Sequence, residues 1–237
     1  MDMKNLQRDW DEFGRTDPLW AILASPDTRG GKWDVDAFFE TGRAVVSKVM
    51  KDVGSLEVDL PRRSALDFGC GVGRLTRALA DHFDEVVGVD IAPSMVELAR
   101  KYAGADGRCS YVVNSSDDLR IFADGRFDLV YSNLVLQHMP RATMRRYFGE
   151  FLRIAARDGL VVFELSTSPS VPRQVWSLAR RAQRRVIPSP ILLTYWMKPR
   201  DVRAFFEQRG ASVLDARTVF KGRGMERVQY CIRPPAA

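Results

Sequence analysis

The chain lacks the features that mark membrane, secreted and metal-binding proteins. No apolar run in its 237 residues approaches the roughly 20 residues that a bilayer-spanning helix needs. The first residues, MDMKNLQRDWDEFG, are polar and acidic and lack the apolar stretch of a signal peptide. The three cysteines have neither disulfide nor zinc-ligand spacing: Cys70, Cys109 and Cys231. We therefore expect a soluble, cytoplasmic protein with no metal site.

Negative charge is scarce at one end of the chain. The net charge is +6, but residues 1–60 carry 8 basic and 12 acidic groups, and residues 61–166 carry 14 of each. Residues 167–237 carry 14 basic and 4 acidic groups, a net charge of +10. The basic surplus therefore belongs to the last 71 residues, and it calls for a local explanation.

The hydrophobic pattern predicts a parallel sheet covered by helices. From Ser64 onward, short apolar runs alternate with segments of helical periodicity, and the runs are too apolar for strands with one solvated face. The first 60 residues are predicted to be helical with breaks, and residues 34–53 form a helix with Asp34 as its N-cap. SVLDARTVF and MERVQYCIRP read as two final strands that introduce antiparallel pairing.

The most specific motif is the glycine-rich segment DFGCGVGR, residues 67–74, between the first strand and the next helix. Glycines there allow a tight turn and a close approach of the backbone to a ligand. Arg74 stands where a dinucleotide fingerprint has glycine or alanine, which disfavours a nicotinamide-dependent reductase. The carboxylate of Asp67 would repel a pyrophosphate and suit a cationic ligand. Asp90, at the end of the second strand, is placed to accept both hydroxyls of a ribose.

Four segments in order resemble motifs of the class I S-adenosyl-L-methionine (SAM) dependent methyltransferases of the small-molecule type. They are ALDFGCGVGRLTRAL, VVGVDIAPSMVELAR, RFDLVYSNLVLQHMP and GLVVFEL, between about Ser64 and Glu164. The resemblance implies an α/β, Rossmann-like class I methyltransferase fold. It has a mostly parallel seven-stranded sheet with an antiparallel last strand and helices on both faces. It also implies a SAM-binding domain over residues 61–237, with a basic acceptor-side insertion at about 168–197 and a helical cover over residues 1–60.

The resemblance further implies which residues bind SAM, whose product is S-adenosyl-L-homocysteine (SAH). The residues expected to surround the methionine portion are Asp67, Gly69, Cys70, Gly71, Gly73, Asn133 and Leu134. Asp90 would hold the ribose, and the residues expected around the adenine are Ile91, Met95, Ser116 and Asp117. Met95 fits core packing equally well. Trp33, with Phe38 and Phe39, would cover the cofactor from the N-terminal segment.

Four residues are candidates for the acceptor side. His138 follows the fourth strand and is either a general base or a structural residue. Glu164, at the tip of the fifth strand, would orient the acceptor or a base, and its alternative is a solvated strand end. Tyr195 and Trp196 form either an acceptor wall or a hydrophobic plug.

The basic segment VPRQVWSLARRAQRRVI, residues 171–187, is predicted to be an amphipathic helix with its arginines on one face. Three interpretations stay open. It binds an anionic or polyhydroxylated acceptor through residues such as Arg180 and Arg184, it contacts an anionic membrane or nucleic acid, or its basic face is merely solvated. No RNA-binding module accompanies it, which favours a small acceptor over nucleic acid. The sequence does not determine the oligomeric state.

These observations together predict a SAM-dependent methyltransferase. We expect O-methylation of a small-metabolite hydroxyl, on a sugar or glycan precursor or a natural product. The alternatives are N-methylation of a small molecule and a SAM-binding regulatory protein without turnover.

Overall fold

The computed structural model describes residues 3–104, 107–167, 194–222 and 224–235. The α-helices of these residues are α1 (Met3–Thr16), α2 (Pro18–Ile22), α3 (Val35–Gly54), α4 (Arg74–Leu79), α5 (Pro93–Tyr102), α6 (Arg141–Ile154) and α7 (Pro199–Glu207). The strands are β1 (Ser64–Phe68), β2 (Glu85–Asp90), β3 (Cys109–Val113), β4 (Phe127–Ser132), β5 (Ala155–Ser166), β6 (Ser212–Gly222) and β7 (Met225–Arg233).

The strands form a mixed sheet in the order β3–β2–β1–β4–β5–β7–β6. The pairs β1–β2, β2–β3 and β4–β5 are parallel, whereas β7 runs antiparallel to both β5 and β6. The predicted fold class, with its antiparallel last strand, is therefore confirmed. β7 is inserted between β5 and β6, so β6 and β3 are the two edges of the sheet. Among the described helices, none is both long enough and apolar enough to cross a membrane.

The chain comprises two compact units, residues 2–116 and residues 117–237. The first contains α1 to α5 and β1 to β3, and all five residues of β1 are buried. Helix α3 begins as predicted, because the side chain of Asp34 accepts a hydrogen bond from the Ala37 amide at 2.8 Å. Helix α4 is short and ends at Leu79. The amides of His82 and Phe83 both donate to the Leu79 carbonyl, so the chain turns there to enter β2.

The second unit is organised around an aromatic core. Phe163 of β5 stacks on Tyr230 of β7 at a centroid distance of 5.1 Å, and Phe148 of α6 contacts Phe163 at the same distance. Phe206 of α7 lies 5.1 Å from Phe148 and 5.7 Å from Phe163. All four rings are buried. The core therefore joins helices α6 and α7 to the two central strands of this unit, β5 and β7.

Candidate functional site

The glycine-rich loop makes the tight turn that its sequence predicts. Gly69, Gly71 and Gly73 have φ angles of +77°, +54° and +84°, in the left-handed region that side chains disfavour. A Cβ at Gly73 would lie 2.7 Å from the Tyr111 hydroxyl oxygen, so both the backbone angle and the available space require glycine. Helix α4 begins directly after this residue, at Arg74. The amides of Gly69 and Cys70 donate to the Val89 carbonyl, which holds the loop against β2. The absence of glycine side chains permits a close approach to the loop backbone.

Asp90 connects the tip of β2 to this loop. Its Oδ2 accepts a hydrogen bond from the Gly71 amide and its Oδ1 accepts one from the Ala92 amide, each at 2.9 Å. Burial raises the pKa of Asp90, and these amide hydrogen bonds oppose that rise. The Ile91 amide also hydrogen-bonds to this carboxylate. A carboxylate has about four lone-pair sites, so the geometry fits a role as acceptor for the ribose hydroxyls.

Asp67 lies beneath the loop with a side chain that is only 1% exposed. Its Oδ2 accepts a hydrogen bond from the Thr76 hydroxyl at 2.7 Å. Burial raises the pKa of Asp67 to about 6, and the Thr76 hydrogen bond and the nearby charge of Arg74 oppose the rise. The role of Thr76 was not predicted from the sequence, where a hydroxyl on the first turn of α4 was the only indication of a hydrogen bond to Asp67.

The other predicted cofactor residues of the first unit fall into two environments. Cys70 is buried, and desolvation holds the pKa of its thiol well above the usual value. Met95 is 1% exposed and belongs to the hydrophobic cluster that packs against the N-terminal helices. This position fits the alternative interpretation of Met95 as a core residue. Ile91 is half-buried and Ser116 is exposed, with the Ser116 amide donating to Asn114 Oδ1 at 3.2 Å.

The N-terminal helices contact both the loop and α5. A Cβ at Gly71 would lie 2.6 Å from Ile22 Cδ1, which places α2 directly on the loop. Asp11 of α1 accepts a hydrogen bond from the Ser94 amide, at the start of α5, at 2.8 Å. Among the residues predicted to cover the cofactor, Trp33 is half-buried against Phe38, and the rings of Phe38 and Phe39 are core side chains.

In the second unit, the residues after β4 are fastened to the tip of β5. Asn133 Nδ2 donates to Glu164 Oε2 at 3.0 Å, and Arg227 Nη1 forms an ion pair with Glu164 Oε1 at 2.8 Å. Glu164 is 9% exposed and is not a solvated strand end. Leu134 has a φ angle of +61°, which is strained for a residue with a side chain. No sequence motif indicated a role for Arg227.

A second set of contacts holds the candidate acceptor residues. His138 ends a 3₁₀ turn, Leu136–His138, and its Nε2 lies 3.5 Å from Gln137 Nε2. The Gln137 carbonyl accepts a hydrogen bond from the Tyr195 amide at 2.6 Å. The guanidinium of Arg141 lies 4.3 Å from the ring centroid of Trp196 and donates to the Trp196 carbonyl at 2.8 Å.

The remaining predicted residues have other surroundings or lie outside the description. Asp117 forms an ion pair with Arg146 of α6. Arg180 and Arg184, with the rest of the basic segment, lie outside the described residues. Within the described ranges, no group of three His, Cys, Asp or Glu side chains is arranged to hold a metal ion.

The fold places the chain in the class I methyltransferase architecture. It aligns with the crystal structure of magnesium protoporphyrin IX methyltransferase from Synechocystis with bound SAH, at a TM-score of 0.70 and 20% identity. That alignment covers 99% of this chain and 100% of the other. It also aligns with the PH0226 protein from Pyrococcus horikoshii, at a TM-score of 0.63 and 22% identity, over 94% of this chain and 98% of the other.

Residues 66–163 match the family described as methyltransferase domain, which confirms the resemblance found from the four motifs. Over 109 residues the chain is 34% identical to ubiquinone biosynthesis O-methyltransferase from Xanthomonas campestris, covering 46% of this chain and 45% of that protein. Over 114 residues it is 33% identical to 2-methyl-6-phytyl-1,4-hydroquinone methyltransferase from Synechocystis, covering 48% of this chain and 35% of that protein. The chain thus spans less than half the length of these relatives.

Proposed function

We propose that the chain is a SAM-dependent methyltransferase that transfers a methyl group to a hydroxyl oxygen of a small metabolite. The observation that carries the proposal is the hydrogen bond between Asp90 and the Gly71 amide. It sets a carboxylate at the end of a parallel strand, against a glycine-rich loop that opens a helix. The fold, together with the match of residues 66–163 to the methyltransferase domain, supports the same conclusion.

In this proposal the first unit binds the cofactor. Asp90 accepts the ribose hydroxyls, and the amides of the glycine-rich loop approach the methionine portion, whose ammonium requires negative charge nearby. Asp67 supplies that charge when it is ionised. SAM supplies a methyl group on a positively charged sulfur, and that methyl is transferred by in-line displacement. The contribution of the chain is to hold the acceptor oxygen and the methyl group in line.

The acceptor side is assigned to the second unit. His138 takes the proton of the acceptor hydroxyl, because an imidazole nitrogen can act as a general base. Both oxygens of Glu164 are engaged by Asn133 and Arg227, which favours an orienting role for this carboxylate over proton transfer. One relative is named as an O-methyltransferase of ubiquinone biosynthesis, which supports an oxygen acceptor. The other is named for methylation of a hydroquinone, which supports a small phenolic acceptor without specifying the methylated atom. The basic charge of residues 167–237 suits an anionic or polyhydroxylated molecule.

Two measurements test the proposal. Isothermal titration calorimetry with SAH should give saturable binding, and absence of heat at high micromolar SAH would remove every SAM-dependent function. Transfer of a labelled methyl group from SAM is then screened against phenols, sugars, carboxylic acids and amines. We expect transfer to a hydroxyl compound. Transfer to amines alone would indicate N-methylation, and binding of SAH without transfer to any class would favour a regulatory protein.

A further inference from the structure

We propose that Arg227 is a positioning residue that acts through Glu164 and Asn133 on the segment after β4, residues 133–138. Its effect on methyl transfer rests on the proposed function, but its effect on the conformation of this segment does not. Arg227 lies on β7, far along the chain from the four methyltransferase motifs.

The strand register brings Arg227 to Glu164. In the antiparallel pair β5–β7, Ser166 is opposite Arg227 and Glu164 is opposite Gln229. Side chains two residues apart on a strand share a face, so Arg227 and Glu164 are diagonal neighbours on one face of the sheet. The guanidinium also lies 4.5 Å from the ring centroid of Phe220, which holds it from β6. The guanidinium therefore lies between the Phe220 ring and the Glu164 carboxylate.

The ion pair with Arg227 compensates for the burial of Glu164 and orients its carboxylate. A carboxylate that is 9% exposed loses most of its hydration, and a nearby cation compensates for that loss. With Oε1 facing Arg227, Oε2 faces the Asn133 amide and accepts its hydrogen bond at 3.0 Å. A hydrogen bond to a charged acceptor is stronger than one between neutral groups. Removing the guanidinium therefore weakens the anchor of Asn133 and leaves a buried carboxylate without this counter-charge.

The anchor matters because the next residue is strained. Leu134 adopts a φ angle of +61°, a conformation that persists only where neighbouring contacts impose it. The tip of β5 holds the chain on both sides of this residue. Glu164 binds Asn133, and the hydroxyl of Ser166 donates to Gln137 Oε1 at 2.8 Å. His138 directly follows Gln137, so relaxation at Leu134 would move the imidazole proposed as the base.

The chain allows a test that needs no acceptor, because it contains only two histidines, His82 and His138. In proton NMR of the full chain, Arg227→Met should shift the ring resonance of His138 and leave that of His82 in place. Arg227→Lys, which retains the charge without the planar fork, should give a smaller shift. Arg203→Met is the matched control, since Arg203 forms an exposed ion pair with Glu207 on α7, and it should move neither resonance.

Activity gives the second readout. With an acceptor from the labelled-methyl screen, Arg227→Met should lower kcat at least about tenfold, within the range of general acid–base contributions. Because Asn133 and Leu134 are expected beside the methionine portion of SAM, the Kd for SAH should rise by a smaller factor than the factor by which kcat falls. Glu164→Gln combined with Arg227→Met removes both charges of the pair, so no unpaired carboxylate stays buried. The melting temperature of the double variant should recover towards the wild-type value while kcat stays low. Recovery of kcat together with stability would assign Arg227 a purely structural role and overturn the proposal.

An unmoved His138 resonance in Arg227→Met would also overturn it. Failure of the proposed function has a different signature, because wild-type protein would then bind no SAH or transfer no methyl group, whatever the resonance of His138 does.

Discussion

The amide nitrogen of Gly71 lies 2.9 Å from Oδ2 of Asp90, so the glycine-rich loop is fastened to the end of the neighbouring strand by a charged acceptor. The Ala92 amide occupies the other oxygen of the same carboxylate. One side chain therefore fixes the loop before α4 and the start of the chain that leads into α5. This arrangement links ligand affinity and loop conformation in a single residue.

Substitution of Asp90 should therefore loosen the attachment of the glycine-rich loop to β2 and lower the affinity for the cofactor. Asp90→Asn retains the side-chain shape but replaces one acceptor oxygen with a donor, which cannot bind an amide N–H. Hydrogen bonds to charged groups contribute about 1.5–3 kcal/mol, so we expect SAH affinity to fall roughly 10- to 100-fold in calorimetry. Asp84→Asn, at an exposed residue before β2, should leave the affinity unchanged. Equal affinities for the Asp90→Asn and wild-type proteins would contradict the proposed ribose contact.

Asp67 should make folding stability depend on pH. Burial raises its pKa from 3.8 to about 6, so the folded chain holds this proton more tightly than the unfolded chain does. The stability that Asp67 contributes is fully present below pH about 4 and is lost as the pH rises through 6, because the folded state must then bury a charge.

The matched experiment is urea unfolding of wild-type protein and Asp67→Asn across this pH range. The free energy of unfolding of wild type relative to the variant should fall by about 3 kcal/mol between pH about 4 and pH about 7. Asp84→Asn should track wild type at every pH. A difference that rises with pH would mean that the pKa of Asp67 is lowered by folding, which would contradict the effect of its burial.

Site residues that belong to a local sequence motif were predicted from the sequence. Contacts that depend on how the strands are aligned in the sheet were not. Asp67 and the loop glycines lie within one strand–loop–helix unit, and Asp90 ends the strand that follows directly. Their order along the chain therefore predicts that they lie close together at the carboxyl ends of adjacent strands. Arg227 reaches Glu164 only because β7 pairs with β5 in one register, and a shift by one residue would turn its side chain to the opposite face. The contact between Gly73 and Tyr111 has the same origin, since β3 pairs with β2 in a fixed parallel register.

His138→Ala should separate a general base from a structural residue. If the imidazole accepts the acceptor proton, turnover should fall at least about tenfold while the Kd for SAH stays constant. His82→Ala, at the other histidine of the chain, should keep wild-type turnover. Labelled-methyl transfer and SAH calorimetry on the two variants make the comparison. Unchanged turnover in His138→Ala would remove this residue from the mechanism.

Arg153 of α6 should stabilise the segment after β3 through its hydrogen bonds as well as through its charge. Its Nη2 and Nη1 donate to the carbonyls of Leu119 and Phe122, each at 3.0 Å, while its Nε donates to Glu150 Oε1 at 3.0 Å. Arg153→Lys keeps the charge but loses this planar fork, so we expect the free energy of unfolding to fall by about 2 kcal/mol. Arg203→Lys, at an exposed ion pair, should cost less than about 0.5 kcal/mol.

The same network gives a pH signature opposite to that of Asp67. The hydrogen bond from Arg153 lowers the pKa of Glu150 below its ordinary 4.5. The stability that Glu150 contributes is therefore present above pH about 4.5 and is lost as the pH falls through the lowered pKa. Urea unfolding of Arg153→Lys should show a smaller loss on acidification than wild type does, and equal losses would contradict the assignment.

Gly73 tests whether the glycine-rich loop is constrained by its backbone angle alone or also by Tyr111. A non-glycine residue in the left-handed region costs about 1–2 kcal/mol, and Gly73→Ala should incur this cost at φ +84°. The new Cβ would in addition lie 2.7 Å from the Tyr111 hydroxyl oxygen and 2.9 Å from its Cε1. Gly30 has nearly the same angle, φ +80°, with no atom within 4 Å of the added Cβ, so Gly30→Ala measures the cost of the backbone angle by itself.

In urea unfolding we expect the free energy of unfolding to fall by about 2 kcal/mol more in Gly73→Ala than in Gly30→Ala. Adding Tyr111→Phe removes the nearest clashing atom and should restore part of that difference. Equal losses for the two glycine variants would mean that Tyr111 of β3 moves away from the new side chain at no cost. The contact with Asp90, and not the contact with Tyr111, would then hold the loop in place.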